Sequence, residues 1–216
     1  MSGFAWIGAR RALALAALVL TLSAGFALPA SATKIERIVS PGGIEAWLVR
    51  EPSQPLVAME FAFRGGSSQD PADKPGVAHM LTTLLDEGAG DLDSRAFSER
   101  LEDKAIELKF VAGRDTITGS LRTLVDHRDE AFGLLKLALT SPRFDPEAVE
   151  RMRAAILSEL RRQSTQPSEL ADRQWWETAF PGHPYGHAVQ GTIASVEGID
   201  AADLRAYVGR ILARDN

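Results

Sequence analysis

The chain has 216 residues, of which 45% are hydrophobic and 25% charged, with a net charge of −5 and no cysteine. An acidic balance without a basic stripe argues against a nucleic-acid partner. A cysteine-free chain is held by its core rather than by disulfides.

Arg10 and Arg11 precede the apolar run ALALAALVLTLSAGFAL, which leads to Pro29 and the small residues Ala30, Ser31 and Ala32. A positive head, an apolar middle and small residues at −3 and −1 form the pattern of a secretory signal peptide. Residues 1–32 are therefore expected to be removed, and the protein to be periplasmic or otherwise exported. A retained anchor is the competing reading, since the run approaches the roughly 20 residues that span a bilayer. The paired arginines hint at twin-arginine export, without a fuller motif. Cleavage after Ala32 leaves 184 residues and, with two arginines and no acid removed, a charge of −7. That length suits one α+β domain, expected over residues 33–216. No later apolar run is long enough to span a membrane.

Residues 35–39 and 44–50 alternate apolar and polar around Pro41-Gly42-Gly43, as a strand pair does. Residues 55–67 read as a longer strand, with Val57, Met59, Phe61 and Phe63 on one face and Ala58 and Ala62 on the other. A polar loop, SQDPADKPG, follows. Helix signals run from Val77 to about Glu87, with Gly88-Ala89-Gly90 as the stop. A helix is expected over 93–105, with Phe97, Leu101 and Ala105 four apart. Residues 106–113 and 115–122 form a hairpin pattern around Gly113-Arg114-Asp115. Helical spacing returns over 124–139. Asp145 and Pro146 then supply an N-cap and a first helical residue for a helix to about Arg162. Two shorter helices are expected near 168–179 and 200–213, around the loop PGHPYGHAVQGT. The order β β β α α β β α α α α has grouped strands and grouped helices. It predicts an α+β fold with helices packed on a mostly antiparallel sheet. No repeat or internal boundary is visible. The chain stops just after its last helix, which suggests a fragment ending before a further strand.

Two histidines at i and i+4 on a helix can share a zinc ion, and a glutamate just before the second can deprotonate the bound water. This is the content of the inverted motif H-x-x-E-H. Residues 79–83 read His79-Met80-Leu81-Thr82-Thr83. The first ligand slot is filled. The base slot holds Thr82, whose hydroxyl is too weak an acid to replace a carboxylate. The second ligand slot holds Thr83, a poor zinc ligand.

Three segments together resemble the N-terminal domain of the pitrilysin/insulinase family of zinc peptidases, which includes the mitochondrial processing peptidases. FRGGSSQDPADKPGVAHMLTTLLDEGAG is similar to the family's strand, acidic loop and metal helix. RMRAAILSELRR is similar to the helix that supplies a distal zinc-binding glutamate, and Glu159, 76 positions after Thr83, fits that place. HPYGHAVQGTIASVEGIDAADLRAYV is similar to the family's P-Y-G…G-T…S-V segment. The resemblance covers nearly all of residues 33–216 and implies the LuxS/processing-peptidase-like metallohydrolase fold. The metal positions it implies are His79, Thr83 and Glu159, with Thr82 at the base. Met152 stands where the family often has a further acid. No catalytic residue and no resident cofactor are therefore expected in this chain. The resemblance implies zinc in the family and in an expected partner, not in this chain.

The resemblance implies an exported, non-catalytic homologue that pairs with an active zinc-bearing homologue and contributes to peptide binding. Family members usually carry a second, similar domain. One alternative is an active zinc endopeptidase that borrows ligands from His127, His183 or a partner. Another is a free-standing peptide-binding or structural protein. Individual residues also have plain readings. His79 is a leftover ligand, a chamber-lining hydrogen-bonding group or an ordinary first-turn residue. Glu159 lies beside the stripe of Val149, Met152, Ile156 and Leu160, where it can pair with Arg162 at i+3. His183 and His187 flank a rigid Pro184-Tyr185-Gly186 loop. Trp175 and Trp176 are expected to anchor their helix to the domain. Glu147, Glu150 and Glu169 read as solvated charges.

Overall fold

The computed structural model describes residues 34–216, so the leader lies outside the described residues. The contacts divide the chain into one unit ending at Glu51 and a second over Pro52–Asn216. The described part of the first unit is a hairpin. Strands β1 (Ile35–Val39) and β2 (Glu45–Val49) pair antiparallel, with Ile35 opposite Val49. The Ser40 N–H closes the turn on the Ile44 carbonyl at 2.8 Å, and Arg37 forks onto Glu45 at 2.7 and 2.8 Å.

In the second unit, β3 (Leu56–Arg64), β4 (Glu107–Ala112) and β5 (Thr116–Leu124) form an antiparallel sheet in the order β3-β5-β4. Period-two alternation puts Leu108, Phe110, Ile117 and Leu121 on the covered face and Lys109, Thr118 and Arg122 on the exposed one. Phe61 and Phe110 both stand opposite Gly119, and their rings meet edge to face at 6.2 Å. The missing side chain makes that room, since a Cβ on Gly119 would lie 2.1 Å from the Phe61 ring.

Seven α-helices accompany the strands among the described residues, two between β3 and β4 and five after β5: α1 (Val77–Thr82), α2 (Ser94–Asp103), α3 (Arg128–Thr140), α4 (Pro146–Gln163), α5 (Pro167–Ala179), α6 (Ile193–Gly198) and α7 (Ala201–Ile211). Their buried side chains, among them Met80, Leu81, Leu134, Ile156, Leu204 and Tyr207, join the sheet's covered face in one core. This is the antiparallel α+β architecture that the grouping of elements predicts. In α1 every residue is buried except His79, which is half-buried.

The structure differs from the sequence expectation at several boundaries. Helix α1 ends at Thr82, not near Glu87. Thr82 and Thr83 donate their hydroxyls to the His79 and Met80 carbonyls at 2.8 and 2.9 Å. Such back-bonding competes with the helical ladder. The following amides tighten to i−3 bonds, from Leu84 to Leu81 at 2.9 Å and from Glu87 to Leu84 at 3.2 Å. Ala105 lies past α2 at φ 49, so that apolar ridge stops at Leu101. Helix α3 begins at Arg128, after a 3-10 turn over Val125–His127. Helix α6 was not predicted. Its capping box uses Thr192 and Ser195, and the serine replaces the glutamate or glutamine that usually advertises this motif. Asp145 occupies the N-cap of α4, but its carboxylate pairs with Arg143 at 2.7 Å instead of capping.

Candidate functional site

The entry to α1 is where the first and third of the family-like segments meet. Asp70 accepts the Gly76 and Ala78 amides at 2.7 and 2.8 Å, fastening the polar loop to the helix start. Ser195 donates to the Pro75 carbonyl at 2.7 Å, which brings α6 to the same point. Gly76 (φ 101) and Gly191 (φ 77) lie backbone against backbone. A Cβ on Gly191 would sit 2.2 Å from the Pro75 oxygen, so only glycine permits both the left-handed turn and the approach. Burial raises the Asp70 carboxyl to about 6, against the opposing pull of the two amides and Arg210. Tyr207, buried behind this loop, donates to the Gly66 carbonyl at 2.6 Å, and burial pushes its phenol up to about 12.

Helix α1 thus presents His79 to a cavity of about 380 Å³. Val111 and Ala112 of β4 and Leu160 and Gln163 of α4 line it from one side, and Trp176 of α5 from the other. Burial lowers the His79 pKa, which favours the neutral ring. The imidazole has no hydrogen-bond partner among the described residues.

The other predicted positions are engaged elsewhere. Thr82 is buried and, like Thr83, gives its hydroxyl proton to its own helix. Arg162 Nε donates to Glu159 Oε2 at 3.0 Å, Arg162 Nη2 also bonds Oε1, and Gln163 donates to Oε1 at 2.7 Å. Arg162 first, then Gln163, holds the Glu159 carboxyl below its ordinary range. The i+3 pairing read from sequence is therefore the observed one. Gln163 joins the two places, since it both lines the His79 cavity and binds Glu159.

This donor set does not fit a zinc ion. One imidazole, a committed hydroxyl and a carboxylate shared between two donors fall short of the usual tetrahedral set. Among the described residues, no group of three or more His, Asp or Glu side chains is placed to hold a metal. His127 lies in the 3-10 turn after β5 and does not line the cavity. His183 and His187 line a neighbouring depression of about 350 Å³, and His183 Nδ1 accepts the Tyr185 amide at 3.1 Å. The borrowing of ligands from His127 or His183 thus has no geometric support within this chain.

The aromatic residues behave differently from each other. Trp176 stacks on Phe180 at 5.4 Å and carries the Arg114 guanidinium 3.4 Å from its ring centroid. Trp175 is 57% exposed and is no anchor. Arg114, Gln163 and Asp70 were not foreseen as site residues. Only Asp70, six residues before Gly76 in an acidic loop, had a readable local signal.

Residues 46–193 match the model of the insulinase family, peptidase family M16. The chain is 29% identical to a Helicobacter pylori protein described as the non-peptidase homolog YmxG, over 73% of this chain and 36% of that protein. It is 27% identical to a probable mitochondrial-processing peptidase subunit beta of Arabidopsis thaliana, over 66% of this chain and 27% of that one. The chain therefore spans about a third of the length of these relatives. A peptidase M16 inactive domain from Pseudomonas fluorescens superposes with a TM-score of 0.76 at 26% identity, covering 81% of this chain and 43% of that chain. Pitrilysin, at 20% identity and a TM-score of 0.74, shares the fold. With its sequence and its architecture in agreement, the chain belongs to the insulinase (M16) peptidase family.

Proposed function

We propose that this protein is an exported, non-catalytic member of its family that holds peptide at the His79 cavity and pairs with a zinc-bearing homologue. The observation that carries this reading is the state of the three slots around His79. Thr82 and Thr83 spend their hydroxyls on their own helix, and Glu159 is held by Arg162 and Gln163. None of these three positions offers a free group to hold a metal or activate a metal-bound water. The names of two relatives, a non-peptidase homolog and an inactive domain, support the same reading.

Peptide binding is supported by the cavity's position. Val111 and Ala112, on its wall, belong to β4, an edge strand of the sheet. An edge strand offers unpaired amides and carbonyls to an added strand, and the adjoining cavity can take a side chain. The neutral imidazole of His79 can donate or accept one hydrogen bond there. Pairing is supported by the name of the Arabidopsis thaliana relative, a processing-peptidase subunit beta. Export rests on the leader pattern of residues 1–32, and the positions of Thr82, Thr83 and Glu159 as lost metal-site residues rest on the motif.

The test is purification from the native host followed by elemental analysis and peptide cleavage. The expected result is a zinc-free chain, inactive alone, that co-purifies with a zinc-bearing homologue. Cleavage by the isolated chain, abolished by a chelator and by Glu159→Gln, would overturn the proposal. A zinc-free chain that binds peptide but has no associated homologue would point to the free-standing peptide binder.

A further inference from the structure

We propose that α5 and the Pro184–Gly186 turn form a lid over the His79 cavity, latched by Arg114 stacked on Trp176. The lid's role in admitting peptide rests on the reading of this cavity as the peptide site.

The cavity has two kinds of wall. His79, Ala112 and Leu160 belong to α1, β4 and α4, elements embedded in the core. The facing wall, with Asp172, Trp176 and Gly186, comes from α5 and the turn after it. Helix α5 has no buried residue, and its one extensive contact among the described elements is with the Pro184–Gly186 turn. Segments with few buried apolar contacts open more readily than the body they rest on.

A small set of contacts from the β4–β5 turn holds α5 down. The Arg114 guanidinium lies 3.4 Å from the Trp176 centroid, and its Nε donates to the Tyr185 carbonyl at 3.4 Å. The Tyr185 hydroxyl donates to Asp115 Oδ1 at 2.5 Å. On the lid itself, Trp176 stacks on Phe180 at 5.4 Å, and Phe180 meets Tyr185 edge-on at 5.5 Å. Trp176, Phe180 and Tyr185 thus make one aromatic body, and Arg114 and Asp115 are its attachment to the sheet. The chain can pivot at the Ser164–Gln166 turn that separates α4 from Pro167. None of the latch residues belongs to the buried core, so releasing the latch leaves the sheet intact.

The absence of cysteine makes a clean background for a thiol-accessibility test. Ala112→Cys places a thiol on the fixed wall of the cavity. Thr123→Cys places one on the covered face of β5, away from it. Adding Arg114→Ala is expected to raise the labelling rate at position 112 roughly two- to thirtyfold, the range of a lost cation–π contact, with position 123 unchanged. Arg114→Lys, which keeps a cation over the ring, is expected to fall between. An unchanged rate at 112, or equal acceleration at both positions, would overturn the lid. Failure of all variants to bind peptide would instead remove the peptide-site reading and leave the labelling result standing.

Discussion

Thr83→His is the substitution that asks most directly whether the metal scaffold survives without its donors. Position 83 sits at φ −83 and ψ −2, still helical at the C-cap of α1, four residues after His79. An imidazole there leaves the helix on the same side as His79. With Glu159 the set becomes two nitrogens and one carboxylate, the composition of many hydrolytic zinc sites. Glu159 must first leave its present partners. An i,i+3 ion pair on an exposed helix face is worth about a twofold change in an equilibrium constant. The Gln163 bond is worth roughly two- to tenfold more. Thr83→His is therefore expected to gain stoichiometric zinc, and adding Arg162→Ala and Gln163→Ala to tighten it by roughly 3- to 30-fold. The assay is elemental analysis followed by competition against a chromophoric chelator. No zinc in either variant would refute the claim that α1 and α4 keep the family geometry. Equal affinity in both would show that Glu159 is not at a ligand position. On the proposed reading, no peptidase activity is expected in either variant, because Thr82 occupies the position that the motif gives to the base.

Two further outcomes follow from the α1 entry. Asp70 is raised from 3.8 to about 6, so its contribution to stability is fully present below pH 3.8 and is lost as the pH rises through 6. Asn cannot ionise, so Asp70→Asn is expected to gain stability relative to the parent between pH 4 and 7. The full shift corresponds to about 3 kcal/mol, reduced to about 1–2 by the solvent that still reaches the carboxylate. Chemical denaturation across that range checks it, and a flat or falling difference would show that the Gly76 and Ala78 amides outweigh desolvation. Gly191→Ala forces a Cβ to 2.2 Å from the Pro75 oxygen at φ 77. A loss of at least about 2 kcal/mol in urea unfolding is expected, and a loss below about 0.5 kcal/mol would mean that the two backbones can part freely.

Much of this site was legible in the sequence, wherever a rule acts between near neighbours. Period-two alternation located the five strands of the described residues, because a half-buried strand must send alternate side chains to water and to the core. Spacing along one helix was enough for the Glu159–Arg162 pair. The H-x-x-E-H register exposed Thr82 and Thr83 as the wrong residues for zinc chemistry. The same local rules overran α1 by five residues and missed α6. They weigh apolar spacing, but not the threonine hydroxyls that divert the ladder or a serine that completes a capping box.

By itself, then, the amino-acid order determined the strands, most of the helices, the family resemblance and the threonines at positions 82 and 83, all written in contiguous or regularly spaced residues. Tertiary structure alone decided that His79 faces a cavity with no hydrogen-bond partner among the described residues, and that Gln163 links this cavity to Glu159. It also decided that Arg114 rests on Trp176. Those residues are far apart along the chain, and no periodicity relates them. They meet because Asp70, Gly76, Gly191 and Ser195 bind the α1 entry to the loop before α6, and because the β4–β5 turn reaches across to α5.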